Sequence, residues 1–520
     1  MAAAARKMRA FKRWMKDQGV EWSDALLFAT ESGCADDSSQ SPPISVEALS
    51  DLKEGDVVAK IPKQSCLTVA TSAASELIEE AELGGNLGLC FALMYEKILG
   101  AESKWFEYLQ ILPPSEPIPL LWSLSEIDSL LAGTELHKTV KEDKALIFED
   151  WKECIEPVLE LASFELKPES FTVDEYFAAK SLVASRSFQV DEYHGYGMLP
   201  LADLFNHKTA AEDVHITTES DNDTGSEKEG TDHESDGDDD TGSEKEGTDR
   251  ESDGDDEPVT HDSHSEGGDV SGSDLELSSG SGNESPFLEI IMIKDVKAGA
   301  EVFNTYGHLG NAALLHRYGF TEADNPFDIL NIDLDIVVQW SSSLFSYRQS
   351  RRRLSIWRKM GYSGCVGQDS EYFEISCDGE PQDELLVLLY ITLLPEDEFR
   401  ALDLAVSSTE ETNAAAKFQL LEKAVVLSAK GSDPSKKLLL TPSVGAALSS
   451  LADARESLYG PSSLEEDVKS CDGCCRATEA KLYHSLMLRI SERRIIEKLR
   501  RYAATLVTAN GGRKRKGTET

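Results

Sequence analysis

The chain has 520 residues, 40% of them hydrophobic, and a formal net charge of −44. This length exceeds one ordinary domain and the hydrophobic content suffices for a large core, so two or three folded units are expected. Such acidity argues against direct nucleic-acid binding, because a phosphate backbone would be repelled.

The charge is unevenly spread. Residues 219–276 hold 24 Asp and Glu against 3 Lys and Arg, a net of −21, which leaves −23 for the rest. Nine cysteines without a regular framework read as reduced thiols of an intracellular protein. Cys471, Cys474 and Cys475 contain a CxxC element but have no second ligand pair nearby, so free thiols are expected there and no metal site. No run approaches about 20 consecutive apolar residues, so neither a membrane span nor a membrane partner is expected.

In chain order, Arg6, Lys7, Arg9, Lys12 and Arg13 have the charge of a transit peptide. However, Phe11, Trp14 and Val20 fall at helical spacing, and Asp17 and Glu21 break the acid-poor pattern, so a folded helix is expected. Residues 52–67 read as strand, turn, strand, turning at Lys53-Glu54-Gly55-Asp56 and with Pro62 after an apolar run. Apolar residues recur at helical spacing over 87–136 and 144–184.

Residues 217–285 are Gly, Ser, Asp and Glu with almost no aromatic or branched apolar side chains, a composition that cannot offset ordering entropy, so disorder is expected. Within this stretch residues 224–240 recur as 241–257 with two differences, His233 to Arg250 and Asp240 to Glu257. Neither copy has a hydrophobic face to stack, so the repeat is a low-complexity expansion and not a solenoid. Both flanks, Asp213-Val214-His215-Ile216-Thr217 and Phe287-Leu288-Glu289-Ile290-Ile291-Met292-Ile293, are β-rich. The acidic stretch is therefore the tip of a hairpin inside one domain.

After Asn325-Pro326, residues 337–362, 383–394, 396–406, 413–430 and 477–506 show amphipathic helical spacing, which predicts a separate α-helical domain over 326–506. The tail at 507–520 contains Gly512-Arg513-Lys514-Arg515-Lys516, which fits a nuclear-import patch and a solubilising tail equally well.

Three pieces carry candidate chemistry: Ser185-Arg186-Ser187-Phe188; Leu199-Pro200-Leu201-Ala202-Asp203-Leu204-Phe205-Asn206-His207; and Glu301-Val302-Phe303-Asn304-Thr305-Tyr306-Gly307, continuing to Arg317-Tyr318-Gly319-Phe320. Singly each is weak. Asn-His after an apolar run more often satisfies its own backbone at an element end, and Tyr-Gly is usually a turn. No nucleophile elbow, hydrolytic triad or phosphate-cradling glycine loop is present.

In this order and spacing the pieces resemble the SET-domain protein-lysine methyltransferases of the Rubisco large-subunit methyltransferase-like class. The nearest branch is that of SET-domain-containing protein six and ribosomal lysine methyltransferase four, whose signature similarly runs from Phe-Asn-Thr-Tyr-Gly to Tyr-Gly-Phe. The likeness takes in Gly55 and Pro62, Ser103-Lys104-Trp105-Phe106-Glu107-Tyr108-Leu109, and the helical C-terminal part. It implies an α+β fold: a SET domain over 1–325, made of small β-sheets with a knot-like C-terminal segment and a helical insert at about 73–180. A mostly α-helical substrate-binding domain would follow over 326–506.

The resemblance further implies S-adenosylmethionine as cofactor and a protein substrate presenting a lysine. By matched position, Asn206, His207, Tyr318 and Arg186 would bind the cofactor, Asp203, Arg186 and Phe320 would line the substrate pocket, and Tyr306 would be catalytic. The opening glycine turn of the class is matched by Glu31-Ser32-Gly33-Cys34, with one glycine and a longer loop, so Glu31 and Gly33 are the candidate cofactor contacts there. The cysteine-rich zinc modules of many histone-modifying SET domains are missing, which favours non-histone substrates over histones. A nuclear location is expected, with the cytoplasm as the second choice.

The chemistry suits these residue types. Methyl transfer from a sulfonium needs a neutral amine, whereas lysine is mostly protonated at neutral pH. A narrow aromatic channel disfavours the ammonium and aligns the lone pair. Two other readings compete. A protein-histidine methyltransferase of the same class would read Tyr-Gly-Thr-Arg and end on Ser-Gly-Phe, where this chain has Tyr306-Gly307-His308-Leu309 and Tyr318-Gly319-Phe320. A catalytically inactive SET scaffold would instead recruit basic partners through its acidic stretch.

Overall fold

The computed structural model describes residues 2–30, 44–159, 168–217, 285–362, 371–407, 439–476 and 478–509. Glu31 and Gly33, the acidic stretch at 218–284, the helix expected at 413–430 and the basic tail lie outside the described residues. The architecture is α+β, with small antiparallel sheets in the N-terminal part and helices elsewhere.

Four strands form the main sheet: β1 (Glu21–Trp22), β4 (Val57–Pro62), β9 (Phe287–Met292) and β8 (Val214–Thr217), hydrogen-bonded in the order β1-β4-β9-β8. Two strands, β2 (Leu26–Thr30) and β3 (Ile44–Ala48), pair as a hairpin whose β3 also bridges to Glu301, and β5 (Leu67–Thr68), β7 (Gly195–Met198) and β6 (Ser187–Asp191) make a three-stranded sheet with β6 at its edge. The strand-turn-strand expected over 52–67 is split between sheets: β4 pairs with β1 and β9, not with its own upstream arm, because Leu52 bridges to Val296 instead. The turn is where it was expected, and Gly55 takes the positive φ of +88° that the reversal requires. Strands β8 and β9 pair from Val214 with Met292 to Thr217 with Glu289, so residues 218–286 connect two neighbouring antiparallel strands.

Apolar side chains from Met8 to Val302 form one core and those from Leu330 to Leu506 a second. In the helical insert, the helices Gly85–Leu99 and Val173–Arg186 pack on the sheets. The basic N-terminal helix, Ala2–Asp17, turns Phe11, Trp14 and Met15 inward, where Trp14 stacks on Tyr108 with ring centroids 6.2 Å apart.

The C-terminal part adds something its spacing did not announce, a two-stranded sheet of β10 (Leu330–Asp333) and β11 (Tyr372–Ile375). The single helix expected over 337–362 is two, Leu334–Leu344 and Tyr347–Lys359. Phe345, in extended conformation, ends the first, and Ser346 caps the second in a reciprocal box with Gln349. The last helix, Ala480–Ala509, runs for 30 residues along Pro442–Glu456. A third, small apolar cluster joins the units: Trp122 and Ile127 of the insert, Leu315 beside Tyr318, and Leu488 of the last helix. Among the described residues, no helix is long and apolar enough to cross a membrane.

Candidate active site

Arg186 is the last residue of the helix Val173–Arg186, so its side chain leaves where the chain turns into β6. Its Nε donates to Glu116 Oε1 at 2.7 Å, and its Nη1 donates to the backbone oxygen of Asp203 at 3.0 Å with the Asp203 carboxylate 3.7 Å away. Burial opposes the Arg186 charge, but the carboxylates of Glu116 and Asp203 outweigh it and raise its pKa.

Asp203 sits in a short turn that follows Leu201, whose φ of +82° is costly for a branched side chain. Its own side chain is wholly enclosed and accepts a hydrogen bond from the Tyr108 hydroxyl at 2.7 Å. Burial pushes the Asp203 carboxyl up to about 6 against the pull of Arg186. Its Oδ1 is buried with no hydrogen-bond partner among the described residues.

The two remaining motifs lie side by side. Asn206 accepts from the backbone of Asn304 at 2.9 Å, Lys208 donates to the Asn304 oxygen at 3.0 Å, and His207 and Asn304 form a parallel bridge. Those bonds bring three rings into one column: His207 on Tyr306 and Tyr306 on Tyr318, each with centroids 3.5 Å apart and nearly parallel planes. Phe320 lies tilted at 6.5 Å from Tyr306. The Tyr306 hydroxyl donates to the Ser185 backbone oxygen at 2.9 Å and lies 3.1 Å from the Ser185 hydroxyl.

Electrostatically the column is neutral. Burial and the nearby Arg186 charge bring His207 down to about 3, so its ring is uncharged at neutral pH. Burial raises the phenols of Tyr306 and Tyr318, so both keep their protons. Asn206 is exposed and donates to Glu301 at 2.7 Å.

Arg186, Asp203, His207, Tyr306, Tyr318 and Phe320 therefore converge, Asn206 is on the rim, and Asp203 stands one layer behind, gripping Arg186. Glu116, Tyr108 and Ser185 join them without having been assigned a role from sequence. Glu116 carried one signal, a lone acid in the run Pro113-Pro114-Ser115-Glu116-Pro117. Ser185 acts through its backbone oxygen, which no side-chain pattern reveals.

No protein-family profile matches the chain. Ribosomal lysine N-methyltransferase 3 of Saccharomyces cerevisiae is 24% identical over 388 residues, covering 66% of this chain and 68% of that protein. N-lysine methyltransferase setd6 of Xenopus tropicalis is 23% identical over 410 residues, covering 75% and 74%. Ribosomal lysine N-methyltransferase 4 of Schizosaccharomyces pombe is 27% identical over 305 residues, covering 55% and 61%. Among solved structures, the SET domain of LSMT bound to lysine and AdoHcy superposes with a TM-score of 0.61 at 18% identity, over 97% of this chain and 93% of that one. Rubisco LSMT bound to AdoMet gives a TM-score of 0.57 at 17% identity, over 99% and 97%. At those identities the structural likeness is one of fold.

Proposed function

We propose that this chain, which has the SET fold of the Rubisco large-subunit methyltransferase class, is a protein-lysine N-methyltransferase that uses S-adenosylmethionine. The observation that carries the reading is the meeting of the Tyr306 hydroxyl with Ser185, in a column of neutral rings beside Arg186.

The residues fit such a cofactor. One guanidinium, Arg186, faces two carboxyl groups, Glu116 and Asp203, so the wall is not net positive. Asp203 Oδ1, without a hydrogen-bond partner among the described residues, leaves a buried acceptor in reserve. Both features suit a cationic sulfonium and an amine-bearing substrate. Asn206, His207, Tyr318 and Arg186 would hold the cofactor, which when bound supplies a methyl group on a sulfonium sulfur for a neutral amine to attack in line.

The chain's own residues prepare that amine. With its O–H donated in a hydrogen bond to Ser185, the Tyr306 oxygen has only lone pairs to offer, so it accepts an N–H from the lysine and orients the nitrogen. The rings of Tyr318 and Phe320 exclude water and so disfavour the ammonium. Edge strand β6 begins two residues after Ser185 and, among the described residues, has an unpaired rim to which an extended substrate segment can add, passing Tyr306.

We place the action on non-histone protein lysines, with histones as the alternative, and the protein in the nucleus on the strength of Arg513-Lys514-Arg515-Lys516, with the cytoplasm as the alternative. Incubating cell extract with labelled S-adenosylmethionine tests the reading. Wild type should label proteins and Tyr306→Phe should not, with mass spectrometry finding methyl-lysine. Methyl-histidine would favour the histidine-modifying reading, and failure to bind the cofactor in calorimetry would favour a scaffold.

A further inference from the structure

We infer that His484, on the C-terminal helix Ala480–Ala509, is a positioning residue for methyl transfer, holding the turn that carries Tyr318 and Phe320 against Tyr306. The inference rests on the reading of the Tyr306 column as the site of the reaction.

Two of the ring-bearing residues flank a chain reversal. The helix Asn311–Tyr318 ends at Gly319, in a left-handed conformation with φ of +80°, and the chain passes so near Pro117 that an added Cβ would stand 3.0 Å from its carbonyl carbon. What fixes Tyr318 and Phe320 is therefore whatever holds the chain on each side of Gly319. On the upstream side the helix is seated by Leu315, which shares an apolar cluster with Leu488 of the C-terminal helix.

On the downstream side the anchor is His484. Thr321, directly after Phe320 and 5% exposed, sends its backbone N–H to His484 Nδ1 at 3.1 Å and places its hydroxyl 2.8 Å from the same nitrogen. A backbone N–H can only donate, so Nδ1 is an acceptor and the imidazole is neutral with its proton on Nε2. The surroundings keep it so: burial, with the Arg476 charge nearby, brings His484 down to about 4. The next residue extends the tie. Glu322 donates its N–H to Asn311 Oδ1 at 2.7 Å and accepts the N–H of Thr209 at 3.0 Å, two residues beyond His207.

The Thr321-Glu322 pair thus links the C-terminal helix, the helix of Tyr318 and the strand-like segment of His207. Moving Thr321 moves rings on both faces of Tyr306. A helical domain expected only to bind substrate is in this way part of the frame of the reaction site.

The test compares His484→Leu, which removes the acceptor, with His484→Asn, whose amide oxygen can replace Nδ1. Leu499→Ala, which weakens the same helix in the second core, is the control. His484→Leu should lose roughly 10- to 100-fold in kcat, the scale of a small misplacement of reacting groups, with KM for the lysine substrate nearly unchanged. His484→Asn should recover most of that loss, and Leu499→Ala should lower Tm without a comparable fall in kcat. Wild-type kcat in His484→Leu, no recovery in His484→Asn, or an equal kcat loss in Leu499→Ala would overturn the inference. If wild type itself transfers no methyl group, the proposed function fails, and amide exchange at Thr321 then decides. Protection lost in His484→Leu and kept in His484→Asn supports the anchor; equal protection in all three refutes it.

Discussion

The hydroxyl of Tyr306 donates to the backbone oxygen of Ser185 at 2.9 Å, joining two motifs 121 residues apart. The shift of this phenol is upward, from burial, so it is a hydroxyl and not a phenolate at neutral pH. On the proposed function it would therefore accept a hydrogen bond from the amine without removing its proton. Tyr306→Phe keeps the ring column and loses the hydroxyl's contacts to Ser185 and to the amine, so methyl transfer should fall by about 100-fold or more, while S-adenosylmethionine binding measured by calorimetry stays near that of wild type. The wild-type rate should climb from neutral to mildly alkaline pH as lysine loses its proton, with no downturn from Tyr306, because its own titration lies higher still.

Arg186 reaches Glu116 through Nε and Nη2 and the Asp203 backbone through Nη1. Lysine is a point charge on a flexible stem and cannot span both directions. Arg186→Lys should therefore leave one buried acid short of a partner, lowering stability by about 2–4 kcal/mol and abolishing most activity. A thermal scan with a parallel methyl-transfer assay measures both effects; a variant with wild-type Tm would show that the grip on Glu116 and Asp203 is dispensable.

How much of this was legible in the sequence depends on the kind of contact. Periodicity gave helical spacing over 144–184, a range that holds most of the helix Val173–Arg186 without marking its start, and it located the strands beside the acidic stretch, because each buries one face against a core. Tyr306, His207 and Tyr318 were legible through resemblance, not through any pattern of their own. Partner choice was not legible: Leu52 bridges Val296 and β4 pairs with β9, contacts set by tertiary packing across more than 200 residues. The break at Ser346 was visible only as a capping box inside an otherwise continuous helical pattern. Ser185 and Thr321 act through backbone atoms, which every residue type possesses, so composition cannot single them out.

The pairing of β8 with β9 predicts the outcome of removing residues 219–276. Val214 to Thr217 face Met292 to Glu289 in register, and Thr217 adds side-chain hydrogen bonds to Glu289. Both strands lie in the main sheet, so the ends of the deletion are already held together. A connection of 69 residues becomes one of 11, which lowers the loop-closure cost by about 2 kcal/mol or less. The shortened chain should have an unchanged or slightly higher Tm and wild-type basal activity. Failure to fold, read from circular dichroism, would mean that the acidic stretch supports the sheet.

Glu135 and Glu492 meet where the helical insert touches the C-terminal helices, and one guanidinium, Arg455, serves both. Arg455 donates to Glu492 Oε2 at 3.2 Å and to the Gly133 oxygen at 2.6 Å, and the Tyr459 hydroxyl also donates to Glu492. Glu135 receives less: its Oε2 is buried without a hydrogen-bond partner among the described residues. Burial first, and then the neighbouring Glu492 charge, hold Glu135 well above the usual carboxylate range. The sign of the pH effect follows. In the unfolded chain Glu135 ionises in the ordinary carboxylate range, whereas in the fold it keeps its proton to higher pH, so the folded state binds the extra proton and loses stability as pH rises between those limits. Glutamine has the shape of the protonated acid and no charge to bury. Glu135→Gln should match wild type at about pH 4, draw ahead as pH rises through the carboxylate range, and exceed it at about pH 9 by roughly 1–3 kcal/mol, the cost of an unsatisfied buried group. Thermal scans of both proteins across that range measure the gap directly; parallel curves would mean that Glu135 is ionised in the folded protein throughout.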